Sequence, residues 1–223
     1  MTTTEKDRTV ETVGTDAGPA RITWFPAEGA AGARLVLALG HGAGGGIEAR
    51  DLRALAAALP AHGVTVALVE QPWRVAGKKL APAPRTLDTG WRGVWPALAA
   101  AAGVPVVAGG RSAGARVACR TAAELGARAV LALAFPLHPP GKPEKSREDE
   151  LTGTGVPTLV VQGGNDPFGR PAEFSPGTYG IAEVPYADHG FAVPKKAGTT
   201  QEEALGTLTA AVTGWLSTGL APV

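Results

Sequence analysis

The chain has 223 residues, 44% of them hydrophobic, enough for one α/β domain with a substantial core. Its formal net charge of +1 favours neither nucleic acid nor an anionic membrane surface. A single cysteine, Cys119, excludes an intrachain disulfide and a cysteine metal cluster, and no stretch approaches the roughly 20 apolar residues of a membrane span.

The first segment, MTTTEKDRTV, is polar and lacks the apolar centre of a signal peptide, so a reducing cytoplasm is the expected location. One domain over 1–223 is expected, with 1–19 as a loosely held N-terminal segment that includes the first strand. RTVETV (8–13) and ARITWFP (20–26) alternate as the two arms of a hairpin. ARLVLALGHG (33–42) is a continuous apolar run, the pattern of a strand buried on both faces. EARDLRALAAALPAHG follows with leucines 52, 55 and 59 at helical spacing, and then VTVALVEQP (64–72) as a second buried strand. LDTGWRGVWPALAAAAG (87–103) reads as a helix in which Pro96 either kinks the axis or marks the start.

VPVVAGG is a third buried strand, RAVLALAFPL (128–137) and VPTLVVQGGND (156–166) are two more, and YGIAEVPYADHGF (179–191) contains a short last one. TQEEALGTLTAAVTGWLSTG closes the chain as a helix, with Thr200 as its cap and Glu203 three residues on. Buried strands alternating with helices imply a parallel sheet covered on both faces, a three-layer α/β fold. Ligands of such sheets bind beyond the carboxyl ends of the strands, so the residues after each apolar run carry the function.

One of those runs ends in GRSAG, with Ser112 between Gly110 and Gly114. With 31 glycines in the chain, G-x-S-x-G cannot stand alone, but here it follows a strand and opens a helix, the setting of a nucleophile elbow. Two other readings are a serine that caps the helix and a phosphate-binding loop; neither G-x-G-x-x-G nor the Walker pattern is present. A serine hydroxyl needs a base to take its proton and a carboxylate to hold that base. Asp166 ends the fifth buried run and His189 follows the last strand, in the chain order serine, aspartate, histidine. Each has an ordinary alternative, a turn aspartate before Pro167 and a surface histidine.

Acyl transfer also needs amide donors for an oxyanion. Ala113, next after the serine, supplies one. GHGAGGG (40–46) supplies the other, with Ala43 preferred to Gly44 because a loop almost free of side chains lets a carbonyl approach. His41 precedes that turn and reads as a brace. Arg74, Arg111, His138 and Trp73 are candidate substrate contacts, the two arginines together favouring an anionic substrate. Against this, arginines beside elbows also pair with core carboxylates, His138 and Lys142 sit in a surface loop, and core packing is the default for Trp73, Trp91 and Trp95. Cys119 reads as a small buried hydrophobe. No metal-ligand spacing occurs, and no cofactor is expected.

LALGHGAGGG, GGRSAGARVA, VVQGGNDPFG and ADHGF together resemble the signature segments of the α/β-hydrolase superfamily. With FPLHPPGKPEKSRED (135–149), the chain is similar more narrowly to small dienelactone-hydrolase-like predicted hydrolases, among them relatives of testis-expressed protein 30 and of a hydrolase-like subunit of a histone acetyltransferase complex. The resemblance implies a mostly parallel sheet of eight strands, one of them antiparallel near the start, with Ser112 as nucleophile, Asp166 as acid and His189 as base. Dienelactone hydrolases proper use cysteine where this chain has Ser112.

Lidded hydrolases insert a cap after the strand that ends here at Leu137. HPPGKPEKSREDELTGTG (138–155) is too short and polar for one, so an open, capless site with a preference for short acyl chains is expected. The expected activity is hydrolysis of small esters or thioesters through an acyl-enzyme, the partner being a small-molecule acyl substrate. The rivals are acyl transfer or carbon–carbon cleavage on the same triad, and a non-catalytic interaction module.

Overall fold

In a computed structural model, which describes residues 8–218 and 220, eight strands form one sheet in the order β1-β2-β4-β3-β5-β6-β7-β8. β1 (Thr9–Thr15) and β2 (Gly18–Phe25) make the N-terminal hairpin, and β2 runs antiparallel to both its neighbours. β3 (Leu35–Gly40), β4 (Val64–Glu70), β5 (Val106–Arg111), β6 (Val130–Leu133), β7 (Thr158–Gly163) and β8 (Tyr179–Val184) pair in parallel through the rest of the sheet.

The apolar runs divide their side chains between two cores. In β3, Leu35, Leu37 and Leu39 point to one face and Val36 and Ala38 to the other. The leucine face is covered by α1 (Arg50–Ala58) and α6 (Gln201–Thr218), through Leu52, Leu55, Leu208, Val212 and Leu216. The opposite face is lined by the small side chains Ala38, Ala67, Ala108 and Ala132 and takes α3 (Pro84–Ala102) and α4 (Ala113–Thr121). Small residues there leave room for Trp91 and Trp95, whose rings pack 6.1 Å apart.

Pro96 lies inside α3 on its exposed side, where water can satisfy the carbonyl that its missing N–H leaves free. The helix begins earlier than its apolar pattern indicates because Pro84 occupies its first turn, where a missing N–H costs nothing. Thr200 and Glu203 form the capping box of α6: the Glu203 N–H donates to the Thr200 hydroxyl at 3.2 Å, and the Thr200 N–H donates to the Glu203 carboxylate at 2.7 Å.

β6 is shorter than its apolar run. Ala134 takes a left-handed backbone (φ 45°) that turns the chain out of the sheet, although its N–H still reaches the Val161 carbonyl at 2.9 Å. The following segment holds only a four-residue helix, α5 (Asp149–Thr152), among the turns of 138–155, so no cap covers the sheet. A short helix, α2 (Pro72–Val75), follows β4.

β3 lies between β4 and β5, so the chain winds first toward one edge and then toward the other. The loops that leave the carboxyl ends of β3 and β5 therefore sit side by side at the switch point, where open α/β sheets bind their ligands.

Candidate active site

At the switch point the backbones of three elements meet through glycines. Gly40 of β3 stands beside Gly110 of β5 in register. A Cβ at Gly110 or at Gly114 would lie 2.6 Å from the Gly40 carbonyl oxygen, closer than real Cβ atoms come. These contacts bring the start of α4 down onto the end of β3. Between the two glycines, Ser112 adopts φ 51° and ψ −114°, a strained conformation for a residue with a side chain. Ser112 occupies the cap position of α4, yet its hydroxyl makes no capping bond. The side chain is aimed out of the turn instead.

It is aimed at His189. The Ser112 Oγ lies 2.9 Å from His189 Nε2, and His189 Nδ1 lies 2.8 Å from Asp166 Oδ2. A carboxylate oxygen accepts, so Nδ1 is the donor and Nε2 is free to accept the serine proton. Asp166 is fully buried, and its other contacts fix it: Oδ1 accepts from the Phe168 N–H at 2.8 Å, and Oδ2 also accepts from Gln162 Nε2 at 2.9 Å. The histidine loop is shaped by Asp188, whose Oδ1 accepts the N–H groups of Gly190 and Ala192 at 2.8 and 2.9 Å. The Phe168 ring lies 4.2 Å from the His189 ring, centroid to centroid, and limits its rotation.

Ala43 and Ala113 line one small cavity with Trp73, Leu87, Val117 and Gln71, about 10 Å³ in volume. Among the described residues, neither Ala43 nor Ala113 donates its N–H to a turn or loop carbonyl. The Ala113 amide also sits at the positive end of α4. Gly44, the second choice for this loop, is exposed and does not line the cavity. The loop is held by His41, whose Nδ1 contacts the Gly42 carbonyl at 2.9 Å while Nε2 accepts the Gln71 N–H at 3.1 Å. Burial holds the His41 pKa below its ordinary value, which suits a neutral ring that must accept at Nε2.

Of the candidate substrate contacts, only Trp73 is brought to this cavity. Arg74 points away and pairs with the exposed Glu48 at 3.2 Å. Arg111 is spent on protein groups: Nε on Asp51 Oδ2 at 3.0 Å and Nη2 on the His189 carbonyl at 2.7 Å. Arg74 thus sits in an exposed ion pair and Arg111 in a half-buried one. His138 is buried, not at an open rim, and its Nε2 meets Glu173 Oε2 at 3.0 Å because the 166–173 loop folds over it. Trp91 and Trp95 are core residues, and Cys119 is buried with its thiol pKa pushed up by desolvation.

Three residues around the site escape a reading of the sequence. Gln162 leaves a faint signal, a polar residue inside an apolar strand. Phe168 leaves only its position two residues after Asp166. Asp51 leaves none, since an acid in the first turn of a helix is ordinary. It is buried nonetheless, with Oδ1 unpartnered; burial raises its pKa, and the Arg111 charge opposes that rise. Among the described residues, no group of three or more His, Cys, Asp or Glu side chains is placed to hold a metal ion, and no helix is long and apolar enough to cross a membrane.

Residues 32–217 match the α/β-hydrolase domain family. The chain belongs to that family. Solved structures agree on the fold of this α/β-hydrolase. XC6422 from Xanthomonas campestris, described as an α/β serine hydrolase without a lid, has a TM-score of 0.69 and 19% identity over 99% of this chain and 98% of its own. Est1E from Butyrivibrio proteoclasticus has a TM-score of 0.70 and 14% identity, covering 93% of this chain and 99% of its own. The dienelactone hydrolase of Anabaena variabilis has a TM-score of 0.67 and 19% identity, covering 95% and 97%. No curated protein matches the chain in sequence.

Proposed function

We propose that this α/β-hydrolase is a serine hydrolase of small esters or thioesters. The observation that carries the reading is His189, held between Asp166 at 2.8 Å and Ser112 at 2.9 Å by its two ring nitrogens. In the proposed cycle, Ser112 Oγ attacks the substrate carbonyl as His189 Nε2 takes its proton. The negative charge that develops on the carbonyl oxygen is held by the amides of Ala43 and Ala113, donors of the kind worth about 10²–10³ in kcat each. The tetrahedral adduct collapses, His189 passes the proton to the departing oxygen or sulfur, and an acyl-Ser112 ester remains. Water then attacks the acyl carbon as it gives a proton to His189, the bond from that carbon to Ser112 Oγ breaks, and His189 returns the proton to Oγ as the acid leaves. Asp166 keeps the proton of His189 on Nδ1 and stabilises the ring when it is charged. Esterase and dienelactone hydrolase folds among the structural neighbours support ester chemistry.

The test is a fluorophosphonate probe with hydrolysis of p-nitrophenyl acetate and acetyl-CoA followed in parallel. The expected result is one adduct, located at Ser112 by mass spectrometry, and loss of both labelling and hydrolysis in Ser112→Ala. An adduct at another residue of an active preparation, or hydrolysis that survives in Ser112→Ala, overturns the assignment.

A further inference from the structure

Every residue of β7 is buried, and all but one are Thr, Leu, Val or Gly. The exception is Gln162, which is fully buried. An amide in such a place costs free energy unless its polar groups are bonded. Its Nε2 lies 2.9 Å from Asp166 Oδ2, 2.8 Å from the Gly169 carbonyl oxygen and 3.2 Å from the Phe135 carbonyl oxygen. Three acceptors around one atom fix which end of the amide is the nitrogen, because an oxygen there would face three others. The Oε1 is buried with no partner among the described residues. The side chain thus leaves its own acceptor unbonded while three neighbouring oxygens draw on its donor.

On the reading of Ser112, His189 and Asp166 as a catalytic triad, we infer that Gln162 is a positioning residue that acts through Asp166, holding the carboxylate that holds His189. Asp166 is fully buried, so protein groups must satisfy its charge. Oδ1 has the Phe168 N–H, and Oδ2 has His189 Nδ1 and Gln162 Nε2. Among the described residues, no other side chain bonds this carboxylate. A single donor on Oδ1 would let the group swing; Gln162 pins Oδ2, the oxygen that His189 uses. Through Gly169 and Phe135 the same amide also ties the end of the acid loop to the chain leaving β6. An electrostatic consequence follows. His189 becomes positively charged when Ser112 gives up its proton. Donation from Gln162 spreads the negative charge on Oδ2, so the Nδ1 proton stays on the ring. Without that donor, Asp166 either holds the imidazolium more tightly or takes a proton itself. Both responses move the acid limb of activity to higher pH.

The experiment follows p-nitrophenyl acetate hydrolysis against pH in the unmodified protein, in Gln162→Met and in Gln162→Glu. Gln162→Met keeps the length of the side chain and loses the donor. Its kcat should fall about tenfold to a hundredfold with little change in KM, as loosened positioning does. The pH of half-maximal kcat/KM should rise by about half a unit or more. Gln162→Glu keeps a donor only while its carboxyl is protonated. Two carboxyl groups at hydrogen-bond distance share one proton, so at acid pH its kcat should exceed that of Gln162→Met. Its kcat relative to the unmodified protein should then fall as the pH rises and the shared proton is lost. A folded Gln162→Met with an unchanged kcat overturns the inference. So does a lower kcat with an unmoved acid limb, which would make Gln162 a packing residue. The protonated side chain of Gln162→Glu has the shape of the amide, so that variant decides if Gln162→Met does not fold: a relative kcat that is constant across the pH range overturns the inference. Fluorophosphonate labelling of Ser112 in the unmodified protein leaves the serine hydrolase reading standing in each of these cases. Absence of labelling and of hydrolysis overturns both.

Discussion

Arg111 Nη2 donates to the main-chain carbonyl of His189 at 2.7 Å, across 78 residues of chain. The same guanidinium bonds Asp51 of α1 through Nε at 3.0 Å, and a Cβ on Gly42 would meet its Nη1 at 2.9 Å. One half-buried cation at the strand end before Ser112 thus ties together α1, the loop before Ala43, and the loop that carries His189. Each of those pieces must be placed to within fractions of an ångström for proton transfer and oxyanion binding.

Arg111 is therefore expected to act as a positioning residue. Arg111→Met should lower kcat by about tenfold to a hundredfold with little change in KM, as misplacement by about 1 Å does. It should also destabilise the fold, because Asp51 is left buried without its partner. The double variant Arg111→Met/Asp51→Leu separates the two effects. Its melting temperature should recover, since the orphaned carboxylate is gone, while kcat stays low. Recovery of kcat along with stability would mean that Arg111 serves the fold alone.

The glycines of the elbow give a second expectation. Gly114→Ala puts a Cβ 2.6 Å from the Gly40 carbonyl oxygen and 2.7 Å from its carbon, backbone atoms that cannot step aside. The cost should be at least the about 1–3 kcal/mol typical of overpacking, with loss of Ser112 labelling as α4 is pushed off β3. Gly44→Ala is the control, since a Cβ there meets nothing within 4 Å. Denaturant melts of the two variants should differ clearly in midpoint. Equal midpoints would show that the elbow tolerates side chains the packing forbids.

This elbow is legible in the sequence because its requirements are local. A serine at a strand end needs small neighbours on either side, and Gly110, Ala113 and Gly114 are there to be read. The sheet is legible for a similar reason: five apolar runs, each preceded by a glycine, read as buried strands. Other features depend on partners that the local pattern does not name. Arg111 and Asp51 are 60 residues apart and meet only because α1 folds back onto the sheet, against β4 and α6. His138 is followed by Pro139-Pro140 and looks like a rim residue; the later turn Pro171–Glu173 buries it. β6 stops early through a backbone angle at Ala134, an alanine that no propensity marks as left-handed.

His138 and His189 offer a third test, since both follow strands. His189→Ala should lower kcat by several orders of magnitude, as loss of a triad base does. His138→Ala keeps Ser112, His189 and Asp166 in place and should change kcat by no more than about tenfold, the worth of about 1 kcal/mol of loop bracing. Steady-state kinetics of both variants on one acetate ester decides between them. A dead His138→Ala beside an active His189→Ala would exchange their roles.

The pH dependence of stability should carry the signature of His138. Its pKa is raised, chiefly because Nδ1 lies 3.0 Å from the Pro139 carbonyl as donor to acceptor, with the Glu173 carboxylate adding to the effect. Glu173 is lowered, first by the Arg170 N–H that its carboxylate accepts and then by His138. A raised histidine contributes stability that is complete below its ordinary value of 6.5 and is lost as the pH climbs through the raised one. A lowered carboxylate contributes stability that is complete above its ordinary 4.5 and is lost as the pH falls through the depressed value. The pair is in full force only between those limits. The melting temperature of the unmodified protein should exceed that of His138→Gln most at about pH 5–6, and the gap should narrow as the pH is raised toward about 9. His41 works in the opposite sense. It is buried and its pKa is lowered, so its penalty grows as the pH falls through 6.5. Both proteins carry that penalty, and it cancels in the difference. A gap that stays constant or widens from pH 6 to pH 9 would mean that His138 is not charged in the folded protein and that its contact with Glu173 is an ordinary hydrogen bond.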